Sequence, residues 1–422
     1  MEKFIINGPT RPVEGSLNVS GAKNSCLPLM AASVLFKKKV TLKNVPFVKD
    51  VFTMIALLKS LGAKVDISEK MRTMTITNKK KHKLIVPYRL VSTMRAGVLT
   101  MGSLLGRYQK KKIKVALGGG CALGIRDTSW HLEGFKKLGA KNTLKQGYVN
   151  LFAKNGLVGS EYKFPKVTVT GTENLIMASI FVKGFHILKN ISIEPEVLDL
   201  INFLNKSGAK IKFVSKRTIK IEGINELIYG KHEIIGDRIE AFSYLCVAAI
   251  TKGEIMLRKI NPKFLAKELN ILRRIGLVIK LKKNSVYLKY RKKLKNIRIK
   301  TGAFPDFATD NMPMLLAVLT TAKGKSIIEE TIFSNRFMCC HELERMGAVI
   351  KINNNKAIIY GQKELSAANC ISSDLRTTFS IILGAISARG VSEIQRVYHG
   401  LRGYYNIVEK LKSLGVKIRS QK

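Results

Sequence analysis

Six times along this chain a short amphipathic stretch stops at a glycine and gives way to an apolar or β-branched run. The copies read Leu57-Leu-Lys-Ser-Leu-Gly62-Ala-Lys-Val, Gly134-Phe-Lys-Lys-Leu-Gly139-Ala-Lys, Phe203-Leu-Asn-Lys-Ser-Gly208-Ala-Lys-Ile, Ile271-Leu-Arg-Arg-Ile-Gly276-Leu-Val-Ile, Glu342-Leu-Glu-Arg-Met-Gly347-Ala-Val-Ile and Lys410-Leu-Lys-Ser-Leu-Gly415-Val-Lys-Ile. The glycines recur at intervals of roughly 70 residues, and a fixed period means stacked copies of one supersecondary unit. Each glycine has a mechanical role, because a helix commonly ends on a residue with positive φ, which glycine adopts without a Cβ clash.

Upstream of each copy lies a second phrase, a polar cluster leading into a helix rich in Ala, Leu and Met. It appears as Lys23-Asn-Ser-Cys-Leu-Pro-Leu-Met-Ala-Ala32, Arg95-Ala-Gly-Val-Leu-Thr100, Thr172-Glu-Asn-Leu-Ile-Met-Ala178, Asp237-Arg-Ile-Glu-Ala241, Asp310-Asn-Met-Pro-Met-Leu-Leu-Ala317 and Asp374-Leu-Arg-Thr-Thr378. These helices are apolar nearly all round and are expected to be buried, so each unit reads strand, buried helix, strand, amphipathic helix, strands. The fold class is therefore α/β, and 422 residues suit two domains. Their polar clusters sit at helix N-termini, where unpaired N–H groups and the helix dipole favour anions. Lys23, Arg95, Arg126, Arg336, Arg376 and Arg402 stand beside such ends or in adjoining loops. Together they point to a multiply anionic small-molecule substrate.

The chain carries 74 Lys+Arg against 29 Asp+Glu, a formal net charge of +45. A polyanion partner would use such a surface. The lysines are scattered singly or in short runs such as Lys37-Lys38-Lys39, with no interleaved aromatics, so nucleic-acid or membrane binding is not expected. The six cysteines form no CxxC pair and the histidines show no metal spacing, so neither a disulfide framework, a metal site nor a cofactor is expected. The opening Met1-to-Pro9 stretch has no apolar signal core and no run reaches the ~18 residues of a membrane span, so the expected location is the cytoplasm.

The least ordinary stretch is Leu117-Gly-Gly-Gly-Cys-Ala-Leu-Gly-Ile-Arg-Asp-Thr-Ser-Trp-His131. Four glycines around Cys121 make a lid able to approach a ligand closely, while Arg126 offers a fork for phosphate or carboxylate. A thiol among cations can act as an acid or a nucleophile. Cys26 and Cys246, on apolar helices, read instead as inert core residues. Asp310, in Phe307-Ala-Thr-Asp, is the best candidate base, although Asp is also a favoured helix N-cap.

Ser20-Gly-Ala-Lys-Asn24, Gly119-Gly-Cys121 with Arg126, Val167-Thr-Val-Thr-Gly-Thr-Glu-Asn174, Thr309-Asp310, Phe333-Ser-Asn-Arg-Phe-Met338, Asp374-Leu-Arg376 and Arg402-Gly-Tyr404 occur in order over essentially the whole chain. In these motifs the sequence resembles the UDP-N-acetylglucosamine 1-carboxyvinyltransferases, enolpyruvyl transferases of peptidoglycan precursor synthesis. The resemblance implies two domains, each of three βαβαββ-type units arranged as an inside-out α/β barrel. They would comprise residues 22–230, and 1–21 with 231–422, with the active site in the cleft between them. It implies transfer of the enolpyruvyl group of phosphoenolpyruvate to the 3-hydroxyl of UDP-N-acetylglucosamine, with release of phosphate. Cys121 would protonate the enol methylene carbon and Asp310 would take the hydroxyl proton. Lys23, Arg126 and Arg402 would hold phosphoenolpyruvate, Lys23 and Arg402 as catalytic residues beside Cys121 and Asp310, with Arg376 nearby and Arg336 among the substrate-binding residues. Asn24, Arg95, Arg126, Asp127, Thr128, Ser129, Trp130, a strand of Lys166, Val167, Thr168 and Val169, and Ile332 would hold the nucleotide sugar.

Where the family usually has Pro-(Val/Ile)-Asp after the lid arginine, this chain has Asp127-Thr-Ser129, and Leu401 replaces the usual Asp before Arg-Gly-Tyr. Two other readings remain. The shikimate-pathway enolpyruvyl transferase shares the fold but typically shows Gly-Ser-Lys-Ser and lacks the lid cysteine. A basic, non-catalytic binding protein could reuse the same fold.

Overall fold

The computed structural model describes residues 2–78, 82–118 and 128–421. All six repeat glycines have positive φ, between 84° and 109°. Each follows an amphipathic helix and precedes a strand, as in Pro195–Lys206, Gly208 and Lys210–Ser215. That helix buries Val197, Leu200, Ile201 and Leu204, one face at i, i+3, i+4 and i+7 spacing. Pro195 opens it, where a missing N–H costs nothing.

The chain forms two compact units. One extends to Ser20 and resumes at Gly236, and the other spans Gly21 to Ile235. In the Gly21–Ile235 unit, Ile85–Val86 runs parallel to Ile113–Ala116, which pairs antiparallel with Tyr148–Phe152, itself antiparallel to Lys141–Lys145. The same order recurs with Glu161–Lys163, Phe185–Lys189, Thr218–Glu222 and Lys210–Ser215. In the third sheet the parallel strand comes from far along the chain, since Lys231–Glu233 joins Val40–Lys43, Thr73–Thr77 and Lys64–Ser68.

The other unit repeats the scheme with Arg298–Lys300, Lys325–Glu329, Lys356–Tyr360 and Val349–Asn353. Its remaining sheets are completed by the N-terminal segment. Ser16–Asn18 runs parallel to Glu254–Arg258, and Lys3–Gly8 pairs antiparallel with both Ala388–Gln395 and Ile418–Gln421. Among the described residues all six sheets are open.

Each unit has three apolar helices at its centre. Arg238–Ile250 and Met312–Leu319 are buried at every position and pack together with Leu375–Ser387. Each fully buried Leu, Ile or Phe contributes ~1.5–3 kcal/mol relative to exposure. In the Gly21–Ile235 unit, Thr100–Arg107 lies so close to Val169–Ser179 that a Cβ on Gly102 would stand 2.2 Å from the Asn174 carbonyl oxygen. Sheet strands bury alternate residues and leave the others half-buried or exposed, so one face of each sheet covers helices.

Part of the basic excess lies on the terminal strands of the sheets. Lys64, Lys141, Lys145, Lys210, Lys212, Lys280, Lys282, Lys351 and Arg419 are all exposed there. Charge on an edge strand blocks pairing with another chain. Among the described residues no helix is long and apolar enough to cross a membrane.

Candidate active site

Lys23 opens the buried helix Lys23–Ala32, and its Nζ lies 3.1 Å from Oδ2 of Asp50, in the first turn of Lys49–Leu61. Both side chains are largely buried. The next position, Asn24, is exposed, and the one after it, Ser25, donates its hydroxyl to Asp199. The backbone N–H of Ala22 donates to the Ile235 carbonyl at 2.7 Å, so the start of this helix is tied on several sides.

His131 gathers three further segments of the same unit. Its Nδ1 accepts from Nδ2 of Asn174 at 2.9 Å and its Nε2 faces the Thr170 hydroxyl at 3.5 Å. Asn174 also donates to the Val98 carbonyl at 3.1 Å and accepts from the Gly102 amide at 2.8 Å. The network joins the segment of Arg95, the helix Ser129–Lys137 and the helix Val169–Ser179. Arg95, Thr128, Ser129 and Trp130, all half-buried, are thereby brought to one end of the unit.

Lys166 to Val169 do not form a strand. The connection after Pro165 leads into a helix beginning at Val169, and Thr168 caps it by accepting from the Gly171 amide at 3.3 Å. The β-branched run reads as a strand, but the threonine oxygen supplies the acceptor that a helix start needs. Lys166 is exposed, while Val167, Thr168 and Val169 are half-buried. Cys121, Arg126 and Asp127 lie outside the described residues.

The remaining candidates belong to the other unit. Asp310 sits in the short 3-10 turn Thr309–Asn311, and its carboxylate does not cap the following helix. It is clamped by two arginines. Nη2 of Arg336 donates to Oδ1 at 2.5 Å, while Nε and Nη2 of Arg376 donate to Oδ2 at 3.2 and 2.9 Å. Both arginines are buried, whereas the Asp310 side chain is 30% exposed. Burial is the largest single influence on Arg376 and works against its charge, but Asp310, Tyr404 and Asp237 together outweigh it and raise the pKa. Bonds of this charge-assisted kind are about twice as strong as neutral ones.

Arg376 is placed by the cap of its helix, where Asp374 accepts from the Arg376 and Thr377 amides at 2.9 and 3.2 Å. Its guanidinium lies 5.5 Å from the ring centre of Tyr404, whose hydroxyl meets that of Ser243 at 2.9 Å. Arg402 ends the turn Val397–Arg402, which packs on the same helix end: a Cβ on Gly400 or Gly403 would stand 2.7 Å from Thr378 or Leu375. Ile332 is 44% exposed on the loop before Arg336.

Sequence reasoning missed the buried acids that hold these groups. Asp50 partners Lys23, Asp199 partners Ser25, and Glu330 and Glu268 grip the Asp310 turn. No local pattern marks them. The five described cysteines are buried and unpaired. Burial pushes the Cys26 and Cys246 thiols up, a hydrogen bond with Cys339 does so first at Cys340, and burial raises Cys370 to about 12.

A surface pocket of about 410 Å³ is lined by Leu35, Gly106 and Phe181, near the C-terminal ends of three buried helices. Its cations suit those negative helix ends, since Arg107 donates to the Val34 and Phe36 carbonyls at 2.6 Å. The candidate residues of that unit stand at the opposite, N-terminal ends. Among the described residues no group of three or more His, Cys, Asp or Glu could hold a metal ion.

The family profile of EPSP synthase (3-phosphoshikimate 1-carboxyvinyltransferase) matches residues 8–411. A UDP-N-acetylglucosamine 1-carboxyvinyltransferase of Pelagibacter ubique is 46% identical over 419 residues, 99% of each chain. Proteins of the same name from Coxiella burnetii and Endomicrobium trichonymphae are 42% identical, covering 99% of this chain and 96% and 99% of theirs. The crystal structure of the enolpyruvyl transferase NikO from Streptomyces tendae superposes with a TM-score of 0.89 at 20% identity, covering 100% of this chain and 99% of that one. EPSP synthase from Acinetobacter baumannii gives 0.78 at 16% identity, with both chains fully covered. These two solved structures share the fold.

Proposed function

The chain belongs to the EPSP synthase family, and from that premise we propose that it transfers the enolpyruvyl group of phosphoenolpyruvate to the 3-hydroxyl of UDP-N-acetylglucosamine, releasing phosphate. The observation that carries this reading is full-length identity of 42–46% to proteins named for that acceptor. Gly-Ala-Lys23-Asn24, where the shikimate enzyme typically has Gly-Ser-Lys-Ser, favours the same acceptor.

The roles of individual residues are part of the proposal. Asp310 accepts the proton of the sugar hydroxyl as its oxygen bonds to C2 of phosphoenolpyruvate, and Cys121 delivers a proton to C3. The C2–O bond to phosphate then breaks and C3 gives up a proton, which restores the vinyl group.

Lys23, Arg126, Arg376 and Arg402 neutralise phosphoenolpyruvate and the departing phosphate, a stabilisation worth most where water is excluded. Asn24, Arg95, Thr128 to Trp130, Lys166 to Val169 and Ile332 hold the nucleotide sugar. A cytoplasmic location belongs to the same proposal, because both substrates are multiply charged and do not cross a bilayer unaided.

The test is phosphate release from phosphoenolpyruvate by the purified protein. Release is expected with UDP-N-acetylglucosamine and not with shikimate 3-phosphate. The reverse pattern, or no release with either, overturns the reading.

A further inference from the structure

A turn of three residues makes too few hydrogen bonds to fix its own geometry. The turn that carries Asp310 is fixed from outside. Glu330, 3% exposed just beyond the strand Lys325–Glu329, accepts the Thr309 hydroxyl on Oε2 at 2.9 Å. Its Oε1 accepts the backbone N–H groups of Ile332 and Phe333 at 2.7 and 3.1 Å. The same loop carries Arg336, whose Nε donates to the Thr309 carbonyl at 3.1 Å and whose Nη2 reaches Asp310. Thr309 is thus held through its hydroxyl by Glu330 and through its carbonyl by Arg336. On the other side, Oε1 of Glu268 accepts from Nδ2 of Asn311 at 3.0 Å and from the Ala308 amide at 3.4 Å.

Burying a carboxylate costs free energy unless its oxygens are hydrogen-bonded, so the donors it keeps show what it serves. These three partners of Glu330 all belong to the Asp310 turn or to the loop of Arg336. We propose that Glu330 is a positioning residue for enolpyruvyl transfer: through Thr309 it sets where Asp310 meets the acceptor hydroxyl, and through the loop amides it sets Arg336. The proposal rests on Asp310 as the base.

Thr309→Val removes the hydroxyl bond at nearly constant volume and leaves the loop amides on Glu330. Its kcat is expected to fall about 10- to 100-fold, the scale of a misplacement of roughly 1 Å, with KM for phosphoenolpyruvate unchanged. Thr309→Ser should restore kcat. Glu330→Ala should lose at least as much, and the double variant should fall no further than Glu330→Ala, because both changes break one linkage. Wild-type kcat in Thr309→Val, no rescue by serine, or additive losses would overturn the positioning role. A wild-type protein that releases no phosphate with UDP-N-acetylglucosamine would instead overturn the function on which the role rests.

Discussion

Nε2 of His232 lies 2.8 Å from Oδ1 of Asp199, with both side chains almost wholly buried, and the second oxygen of Asp199 takes the Ser25 hydroxyl. One carboxylate therefore ties the strand Lys231–Glu233 and the helix Pro195–Lys206 to the turn that presents Lys23 and Asn24. Removing the acceptor of two buried hydrogen bonds leaves both donors unsatisfied, at about 1–3 kcal/mol each. Asp199→Ala should lose stability on that scale in urea unfolding, and Asp199→Asn clearly less. Equal, small losses in both would contradict a paired role.

Asp310→Asn keeps the volume of the side chain and removes its basicity. Phosphate release at saturating substrate is expected to drop roughly a hundred- to ten-thousand-fold, the usual range for a general base. A drop confined to KM for UDP-N-acetylglucosamine would mark Asp310 as a binding residue only.

The epoxide fosfomycin should label Cys121 in preference to the other cysteines, with loss of activity. Cys26, Cys246, Cys339, Cys340 and Cys370 are buried, and the raised thiols among them hold little of the nucleophilic thiolate. Peptide mapping by mass spectrometry reads the outcome, and a Cys121→Asp variant should turn over while resisting the reagent. Comparable labelling of all six would count against a special thiol.

Stability should fall in mild acid because of two histidines. Burial pushes His82 and His186 from the ordinary value of 6.5 down to about 4. A lowered folded-state pKa means that the unfolded chain binds protons first, so their contribution is present above pH 6.5 and is lost as pH falls toward 4. Together they give a slope of at most ~2.7 kcal/mol per pH unit, from ~1.4 for each. Urea midpoints measured between pH 7 and 4 should flatten in a His82→Gln, His186→Gln variant. An unchanged slope would remove these groups from the account.

The repeat was legible because its signals are local. A helix stop needs a glycine at one position, and an amphipathic face needs apolar residues at fixed spacing, so Gly62 and Gly415 announce themselves with no knowledge of the partners. Asp310 and Arg376 were legible as types in motifs, but their contact was not, because 66 residues separate them. The Lys166–Val169 stretch misled because threonine serves a strand and a helix cap equally well.

By itself the sequence determined six βαβαββ-type units, the helices that lie at their centres and the cationic residues at the helix starts, because periodicity and capping act over a few neighbouring residues. Only the tertiary structure decided that Lys3–Gly8, Ser16–Asn18 and Lys231–Glu233 complete sheets far away in the chain, that Asp50 pairs with Lys23, and that Asp199, Glu268 and Glu330 hold the neighbours of site residues. A carboxylate bound for the surface and one bound for a buried clamp are the same letter. What separates them is the donor that folding brings within 3 Å or so, and that is a property of space.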